Sequence, residues 1–154
     1  MLMHHVSIGV RDVPKAVAFY DKVMGALGFK RVMEFMPYAA AYGEALPEFW
    51  VGLPHDQKPA SAGNGAHFCF NAKSETAVQA FHAAALASGG TDDGAPGLRP
   101  DYAPNYYGAF VRDLDGNKIE AVFFVPSAKA KAKPKAAAKK RPATKAKPKA
   151  RKRK

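Results

Sequence analysis

Two histidines of this 154-residue chain occupy equivalent places in an internal repeat. When the sequence is aligned with itself at an offset of 62 residues, His5 falls on His67 and Phe19 falls on Phe81. Imidazole groups are common ligands of divalent cations in proteins. A histidine that recurs at matching positions of a repeat is therefore a candidate for a shared site.

Alternation along the two strands that carry these histidines puts both on the side that does not face a helix. The helix-facing side holds apolar residues, namely Val6, Ile8 and Val10 in the first half and Phe68, Phe70 and Ala72 in the second. The opposite side holds small or polar residues, namely His5, Ser7 and Gly9, then His67, Cys69 and Asn71. Because packing this side against another sheet would bury little apolar surface, the pattern predicts that it lines a cavity.

Each histidine-bearing strand is followed by a capping residue and a helix. Asp12 and Ser74 are the predicted N-caps, and apolar residues then recur at helical spacing. Gly28 and Gly90 stand where a left-handed residue would end each helix. Three strand-like runs follow the first helix: FKRVMEF, YAAAYG and EFWVGL.

The second half is less clear through TDDGAPGLRPDYAPN, and we interpret GAPGLRPDYAP within it as a loop. Its last two strands, YYGAFVRD and NKIEAVFFV, flank Leu114, Asp115 and Gly116, a good hairpin turn. The sequence thus predicts an α+β fold, a tandem β-α-β-β-β repeat that forms a cupped mixed sheet with the helices outside. One domain covers residues 1–126, with halves at about 1–54 and 65–126 and a linker between them.

The tandem repeat, a histidine opening each half and the segment RDLDGNKIEAVF together resemble the vicinal oxygen chelate superfamily. This superfamily contains glyoxalases, bleomycin-resistance proteins and extradiol dioxygenases. The resemblance covers residues 3 to 125 and implies metal ligands on the first and last strands of each half.

Carried onto this chain, the resemblance implies that His5, His67 and Glu120 bind a metal, with Trp50 where a fourth ligand would be. Two imidazoles and one carboxylate with open coordination positions suit catalytic Fe(II), Mn(II), Ni(II) or Zn(II). Such an ion would take two neighbouring oxygens of a small substrate. The alternative is that the histidines close strand ends and Glu120 is an exposed strand carboxylate.

The absence of a carboxylate at Trp50 makes a glyoxalase-type isomerisation less favourable, although Glu120 can still be both ligand and catalytic base. A three-ligand set is closer to extradiol dioxygenases and fosfomycin-resistance enzymes. Lyase and dioxygenase chemistry therefore both remain open. The other functions considered are a metal-free module that sequesters a drug or metabolite, and a nucleic-acid-associated protein.

Four residues are expected to contact the substrate. Trp50 would form a pocket wall, and Phe124 shares the face of Glu120. Arg99 lies in a Gly- and Pro-rich segment that suits a rim, where it would bind an anionic group unless it is simply solvated. Tyr106 and Tyr107 are consecutive, so only one can reach the cavity; we assign Tyr107, with a packed tyrosine as the alternative.

Charge is distributed very unevenly along the chain. Residues 127–154 contain 11 Lys, 3 Arg and no acid, whereas residues 1–126 carry 10 basic and 13 acidic groups, a net charge of −3. The basic segment has no aromatic or large aliphatic residue, which predicts a tail that is disordered alone. Its charge predicts binding to DNA or RNA through counterion release, with a solubilising role as the alternative.

The chain contains no apolar run of about 20 residues, and its single cysteine, Cys69, is consistent with a reducing compartment. We therefore expect a cytoplasmic protein without a membrane partner, with nucleoid association through the tail as a further option. The resemblance also implies a homodimer, in which a site is completed either within one chain or between two.

Overall fold

The computed structural model describes residues 3–126. Two helices and eight strands follow one another in the predicted order. The first half contains β1 (Val6–Gly9), α1 (Val13–Ala26), β2 (Lys30–Phe35), β3 (Ala39–Gly43) and β4 (Phe49–Gly52). The second half contains β5 (His67–Asn71), α2 (Glu75–Ala87), β6 (Thr91–Leu98), β7 (Tyr106–Arg112) and β8 (Lys118–Phe124).

Each half forms one four-stranded mixed sheet. The strand orders are β1-β4-β3-β2 and β5-β8-β7-β6, so the first strand of each half lies beside the last. These two pairs are parallel, and all the other pairs in the described chain are antiparallel. The predicted α+β class and the tandem β-α-β-β-β order are confirmed, with the strands divided between two sheets.

The helices begin at the predicted caps. The backbone N–H of Lys15 donates to Asp12 Oδ1 at 3.0 Å, and that of Ala77 donates to Ser74 Oγ at 3.1 Å. Each bond gives a partner to a backbone N–H group of the first helical turn, which has no acceptor within the helix. The apolar stripes of the two helices then pack on the sheets and form the core; among its buried members are Phe19, Tyr20, Val23, Val78 and Phe81.

Two local predictions in the second half are wrong. The left-handed residue after α2 is Gly89, with φ of 94°, rather than Gly90. The segment interpreted as a loop instead begins inside β6, whose pairing with β7 shifts on both sides of Gly94. β6 lies at the edge of its sheet, where a proline such as Pro96 need not donate to a neighbouring strand, so the sequence looked unlike a strand.

The buried carboxylate of Asp113 joins the two halves. Its Oδ2 accepts hydrogen bonds from Tyr20 Oη of α1 at 2.8 Å and from Asn117 Nδ2 at 2.9 Å. Its Oδ1 accepts from the backbone N–H groups of Asp115 and Asn117 at 2.9 and 2.8 Å. Asn117 Nδ2 also donates to the Gly9 carbonyl at 3.2 Å, which ties the β7–β8 turn to the end of β1.

The last strand is held at its C-terminal end by a reciprocal pair of bonds. The Val125 N–H donates to the Asn105 carbonyl at 2.9 Å, and Asn105 Nδ2 donates to the Val125 carbonyl at 3.1 Å. The predicted disordered tail, residues 127–154, lies outside the described residues. Within residues 3–126, neither helix has the length and apolar character needed to cross a membrane.

Replacing Asp113 tests the junction between the halves. We expect Asp113→Ala to lower the free energy of unfolding by about 2–4 kcal/mol, because it leaves several buried donors without an acceptor. Urea unfolding of the full chain measures this change. The exposed Asp101 provides the control, since Asp101→Ala should change stability by less than about 0.5 kcal/mol. Equal effects of the two substitutions would contradict this role of Asp113.

Candidate functional site

The second half presents one sheet face away from its helix, which we call the second-half open face. The register places Glu120 beside Cys69 of β5 and beside Phe110 of β7. Paired residues point to the same side of a sheet, so alternation extends this face along each strand. Its side chains include His67, Cys69, Asn71, Tyr106, Phe110, Arg112, Lys118, Glu120 and Phe124.

Three polar side chains of this face contact one another at Glu120. His67 Nε2 lies 3.3 Å from Glu120 Oε2, and Tyr106 Oη donates to Glu120 Oε1 at 2.5 Å. The Glu120 side chain is only 2% exposed, whereas about half of the His67 side chain is exposed. A buried carboxylate is thus held by a phenol on one oxygen and presents its other oxygen beside an accessible imidazole.

Tyr106 keeps its proton in this arrangement. Burial raises the pKa of the phenol well above its ordinary value, and the hydrogen bond to Glu120 raises it further. At neutral pH the hydroxyl therefore remains a donor. Its bond to Glu120 fixes the orientation of the carboxylate group.

A glycine makes room for this pair. Gly108 lies on β7 between Tyr106 and Phe110, and it pairs with Val122 of β8. A Cβ atom at position 108 would lie 3.1 Å from Tyr106 Cε1 and 3.2 Å from Glu120 Oε1. These distances are tighter than ordinary carbon contacts, so the absence of a side chain allows the phenol and the carboxylate to meet.

The assignment of Tyr107 to the cavity is wrong. Tyr107 lies on the helix-facing side of β7, and its hydroxyl accepts a hydrogen bond from Gln79 Nε2 of α2 at 2.9 Å. Tyr106, which had no role assigned from the sequence, is the cavity residue. The hairpin could have identified it, because pairing Arg112 with Lys118 across the turn brings Tyr106 opposite Phe124, on the face of Glu120.

The His67 and Glu120 donors fit a divalent metal ion. Ligand bonds of about 2.0–2.2 Å place two donors in neighbouring coordination positions about 3.0–3.5 Å apart. The 3.3 Å between His67 Nε2 and Glu120 Oε2 lies in this range. Tyr106 adds the outer hydrogen bond that metal-binding carboxylates usually receive. These two residues could hold an ion, with its remaining positions open to other ligands.

His5 does not join this pair within one chain. It lies just before β1, where its Nδ1 is 2.9 Å from Nδ1 of His4. It lines a cleft between the halves together with His67, but Glu120 does not line that cleft. Among residues 3–126, no three His, Cys, Asp or Glu side chains are close enough to hold one ion. The expected convergence of His5, His67 and Glu120 is therefore not found within a single chain, because the two sheets present separate open faces.

Trp50 lies on the corresponding open face of the first half. Its half-buried indole donates to the Pro47 carbonyl at 3.1 Å and stacks on Phe35, with ring centroids 6.1 Å apart and planes within 8°. It lines a cavity with Ser7 and Gly9. This cavity is distinct from the one lined by His67 and Glu120, which measures about 700 Å³.

The other two expected contact residues lie on the second-half open face. Phe124 is about half exposed and packs edge-on against Tyr106, with ring centroids 5.2 Å apart. Arg99 follows β6, and its guanidinium carbon lies 5.6 Å from the centroid of Phe110. Phe124 thus packs on Tyr106 and Arg99 on Phe110, and both Tyr106 and Phe110 line the Glu120 cavity.

The one cysteine of the chain lies next to the same carboxylate. Cys69 Sγ is 3.8 Å from Tyr106 Oη, and Cys69 pairs with Glu120 in the sheet. Partial burial raises the pKa of the thiol to about 12, and the negative charge of Glu120 adds to this increase. At neutral pH the thiol is protonated and a poor nucleophile.

A family model matches most of the folded part of the chain. Residues 2–121 match the model described as the Glyoxalase/Bleomycin resistance protein/Dioxygenase superfamily. No curated protein matches the chain.

Solved structures agree with this match. A glyoxalase/bleomycin resistance protein from Albidiferax ferrireducens T118 is 35% identical, with a TM-score of 0.73 over 79% of this chain and 98% of that one. A glyoxalase/bleomycin resistance protein/dioxygenase family enzyme from Burkholderia phytofirmans PsJN is 19% identical, with a TM-score of 0.61 over 79% and 98%. Lactoylglutathione lyase from Agrobacterium tumefaciens is 20% identical, with a TM-score of 0.54 over 79% and 92%. The last two similarities concern the fold alone.

The environment of Cys69 predicts slow alkylation. In metal-free protein at pH 8, we expect iodoacetamide to react with Cys69 at least about a hundredfold more slowly than with glutathione, because almost no thiolate is present. The logarithm of the rate should still rise linearly between pH 8 and pH 10. Glu120→Gln should speed the reaction at pH 8, since it removes a negative neighbour and lowers the pKa. Mass spectrometry of the alkylated protein measures the rate. A rate that reaches a plateau near pH 8.5 would contradict the raised pKa.

Proposed function

Because the chain belongs to the Glyoxalase/Bleomycin resistance protein/Dioxygenase superfamily, we propose that it is a metal-dependent enzyme acting on a small molecule with two neighbouring oxygens. The observation that carries the proposal is the 3.3 Å approach of His67 Nε2 to Glu120 Oε2, with Tyr106 bonded to the other carboxylate oxygen. Lyase and dioxygenase reactions both fit this description.

His67 and Glu120 would hold the ion. A bound divalent ion supplies Lewis-acid polarisation of substrate oxygens. The phenol of Tyr106 would keep the Glu120 carboxylate in one orientation, so its free oxygen stays directed at the ion rather than rotating away. Glu120 is also the one carboxylate at the centre of this face, so it is the candidate base for a proton of the bound substrate.

The third ligand would come from a second copy of the chain. The repeat makes the open faces of the two halves equivalent, and by alternation from Ser7 and Gly9 His5 would extend the first-half face. That face carries exposed apolar side chains, with Phe35 59% exposed and Met33 41% exposed beside Trp50. In a two-fold homodimer, the first-half face of one copy would cover the second-half open face of the other. His5 would then complete the set of two imidazoles and one carboxylate.

A metal-free binding module is the second candidate function. The parallel Phe35 and Trp50 rings form an accessible aromatic surface that could hold a planar drug or metabolite. In that case His67 and Glu120 would be a hydrogen-bonded pair at the wall of the cavity. The two functions differ in whether a divalent ion binds.

Ion binding separates these two functions. We expect calorimetric titration of the full chain with Zn(II), Mn(II), Fe(II) or Ni(II) to reveal one high-affinity ion per chain. His67→Ala should weaken binding at least about a hundredfold, because it removes an inner ligand. His55→Ala, in the linker, is the matched control and should leave the affinity unchanged. Equal affinities of wild type and His67→Ala would defeat the enzyme proposal and favour the binding module.

Mixing two inactive variants tests whether the site is shared. His5→Ala and His67→Ala would each lack high-affinity ion binding. If sites form between copies, a heterodimer has one intact site and one site that lacks both histidines. Equal co-expression should therefore restore about a quarter of the wild-type number of ion sites. No recovery from a mixture shown to contain heterodimers would rule out sites shared between copies.

We also propose that residues 127–154 bind double-stranded nucleic acid. Fourteen cations without an acid follow a body of net charge −3, so attraction to a polyanion resides in this segment. Duplexes release more counterions per contact than single strands do. The segment has no large apolar side chain to insert into a lipid surface, which favours nucleic acid over membranes.

Truncation and salt dependence test the tail. The full chain should bind a 30-base-pair duplex. A plot of log K against log salt should have a slope of up to about −13 if all fourteen cations bind phosphates. The chain ending at Pro126 should lose this binding. Replacing seven of the eleven tail lysines with Gln should halve the slope, whereas a shuffled tail should behave as wild type. Unchanged binding after truncation, or preference for anionic vesicles, would overturn the assignment.

A further inference from the structure

We propose that the second-half open face contains an anion subsite at the Arg99 guanidinium, which binds a carboxylate or phosphate group of the substrate. The position of this group relative to the substrate's neighbouring oxygens rests on the proposed function. The subsite itself rests on the residues around Arg99.

The guanidinium lies on the same side of the sheet as Glu120. Gly94 of β6 pairs with Phe110, which in turn pairs with Glu120. A Cβ atom at Gly94 would lie 2.9 Å from Phe110 Cδ2 and 3.4 Å from Arg99 Nη2. Since paired residues point to the same side, the space left by the missing Gly94 side chain is occupied by the Phe110 ring and the guanidinium.

Charge on this side of the cavity favours an anion. Arg99 and Lys118 both approach the Phe110 ring, with Lys118 Nζ 4.8 Å from its centroid. Lys118 Nζ is paired with Asp93 Oδ2 at 3.0 Å, and Arg112 Nη2 approaches the same oxygen at 3.3 Å. Arg99, by contrast, forms no ion pair with a carboxylate of residues 3–126.

The Arg99 guanidinium also has N–H donors available to bind an anion. Its Nη2 donates to the Ala95 carbonyl at 2.6 Å, and this bond fixes its position against β6. A guanidinium carries five N–H donors, so others remain for a planar oxyanion, which it can bind through two parallel bonds. The hydrogen bond from His82 lowers the pKa of Asp92 and the charge of Arg99 contributes to this shift, but Arg99 and Asp92 form no ion pair. A fixed guanidinium beside an aromatic ring, with no carboxylate paired to it, is a suitable anion receptor.

The sheet sets the distance between the two ends of the ligand. Gly94, Phe110 and Glu120 lie in one row on three adjacent strands, and neighbouring strands are about 4.8 Å apart. The anion subsite is therefore about 10 Å from Glu120. A molecule whose only carboxylate supplies one of the two neighbouring oxygens therefore has no second anionic group to place at Arg99.

Aromatic side chains line the interval. The exposed ring of Tyr102 packs edge-on against Tyr106 and Phe110, with centroid distances of 5.3 and 6.5 Å. The expected substrate is thus an elongated molecule. It carries neighbouring oxygens at one end, an apolar or planar middle, and an oxyanion at the other end.

Titration of the metal-free full chain with simple acids tests the subsite. The probes are benzoate, phenylacetate, 3-phenylpropanoate and phenyl phosphate, with the three corresponding amides as neutral controls. We expect the acids to bind about tenfold more tightly than the amides. Arg99→Gln should abolish this preference, and Arg99→Lys should retain part of it, because a lysine keeps the charge but lacks the fork of donors.

Arg31→Gln is the matched control, since it removes one positive charge from β2 of the first half and leaves Arg99 in place. Arg31→Gln should retain the full preference for acids over amides. The basic tail is the same in every variant, so its attraction for acids does not change the comparison. The subsite is refuted if wild type does not distinguish acids from amides, or if Arg99→Gln retains the preference. Ion affinity is measured separately, so loss of acid preference in Arg99→Gln with unchanged ion binding supports the subsite alone. A protein that prefers acids but binds no ion would retain the subsite and lose the proposed enzyme function.

Discussion

The Asp113 carboxylate, buried at the β7–β8 turn, fixes the geometry on which the candidate site depends. Four hydrogen bonds reach it, two from the backbone of its own turn and two from the side chains of Tyr20 and Asn117. Desolvating a carboxylate is costly, so these bonds must form together. Because the turn then has one conformation, β8 has one register with β7, and Glu120 lies opposite Phe110. The same network fastens the second half to α1 and to the end of β1.

The two halves have the same topology but present different chemistry on their open faces. In the first half, the equivalent of Glu120 is Trp50, which stacks on Phe35. In the second half, the carboxylate, an imidazole and a phenol contact one another, with cations beyond them. Under the proposed function, the second-half open face binds the polar group and the first-half face of a second copy covers it. This difference explains why the proposed site needs both faces, and why neither half suffices.

Local patterns in the sequence predicted much of this arrangement. Alternation correctly placed His67 and Cys69 opposite the core, and the helix caps were confirmed at Asp12 and Ser74. Strand β6 was missed because its Gly and Pro residues suit an edge strand as well as a loop. The sequence did not distinguish Tyr106 from Tyr107, because the parity of a strand is unknown until its register with a neighbour is fixed. The position of His5 relative to Glu120 depends on how the halves pack, which no local pattern specifies.

Gly108 has a consequence for how such a protein can change over time. Its backbone does not require glycine, since its φ is not among the positive values in the described chain. A single methyl group there would nevertheless crowd both Tyr106 and Glu120. A change to alanine would therefore leave the β7 backbone unstrained and would require the phenol, the carboxylate or both to move by a few tenths of an ångström. Under the proposed function, that shift would alter the hydrogen bond that orients Glu120, whereas a protein that serves only as a receptor could carry alanine there and keep the fold.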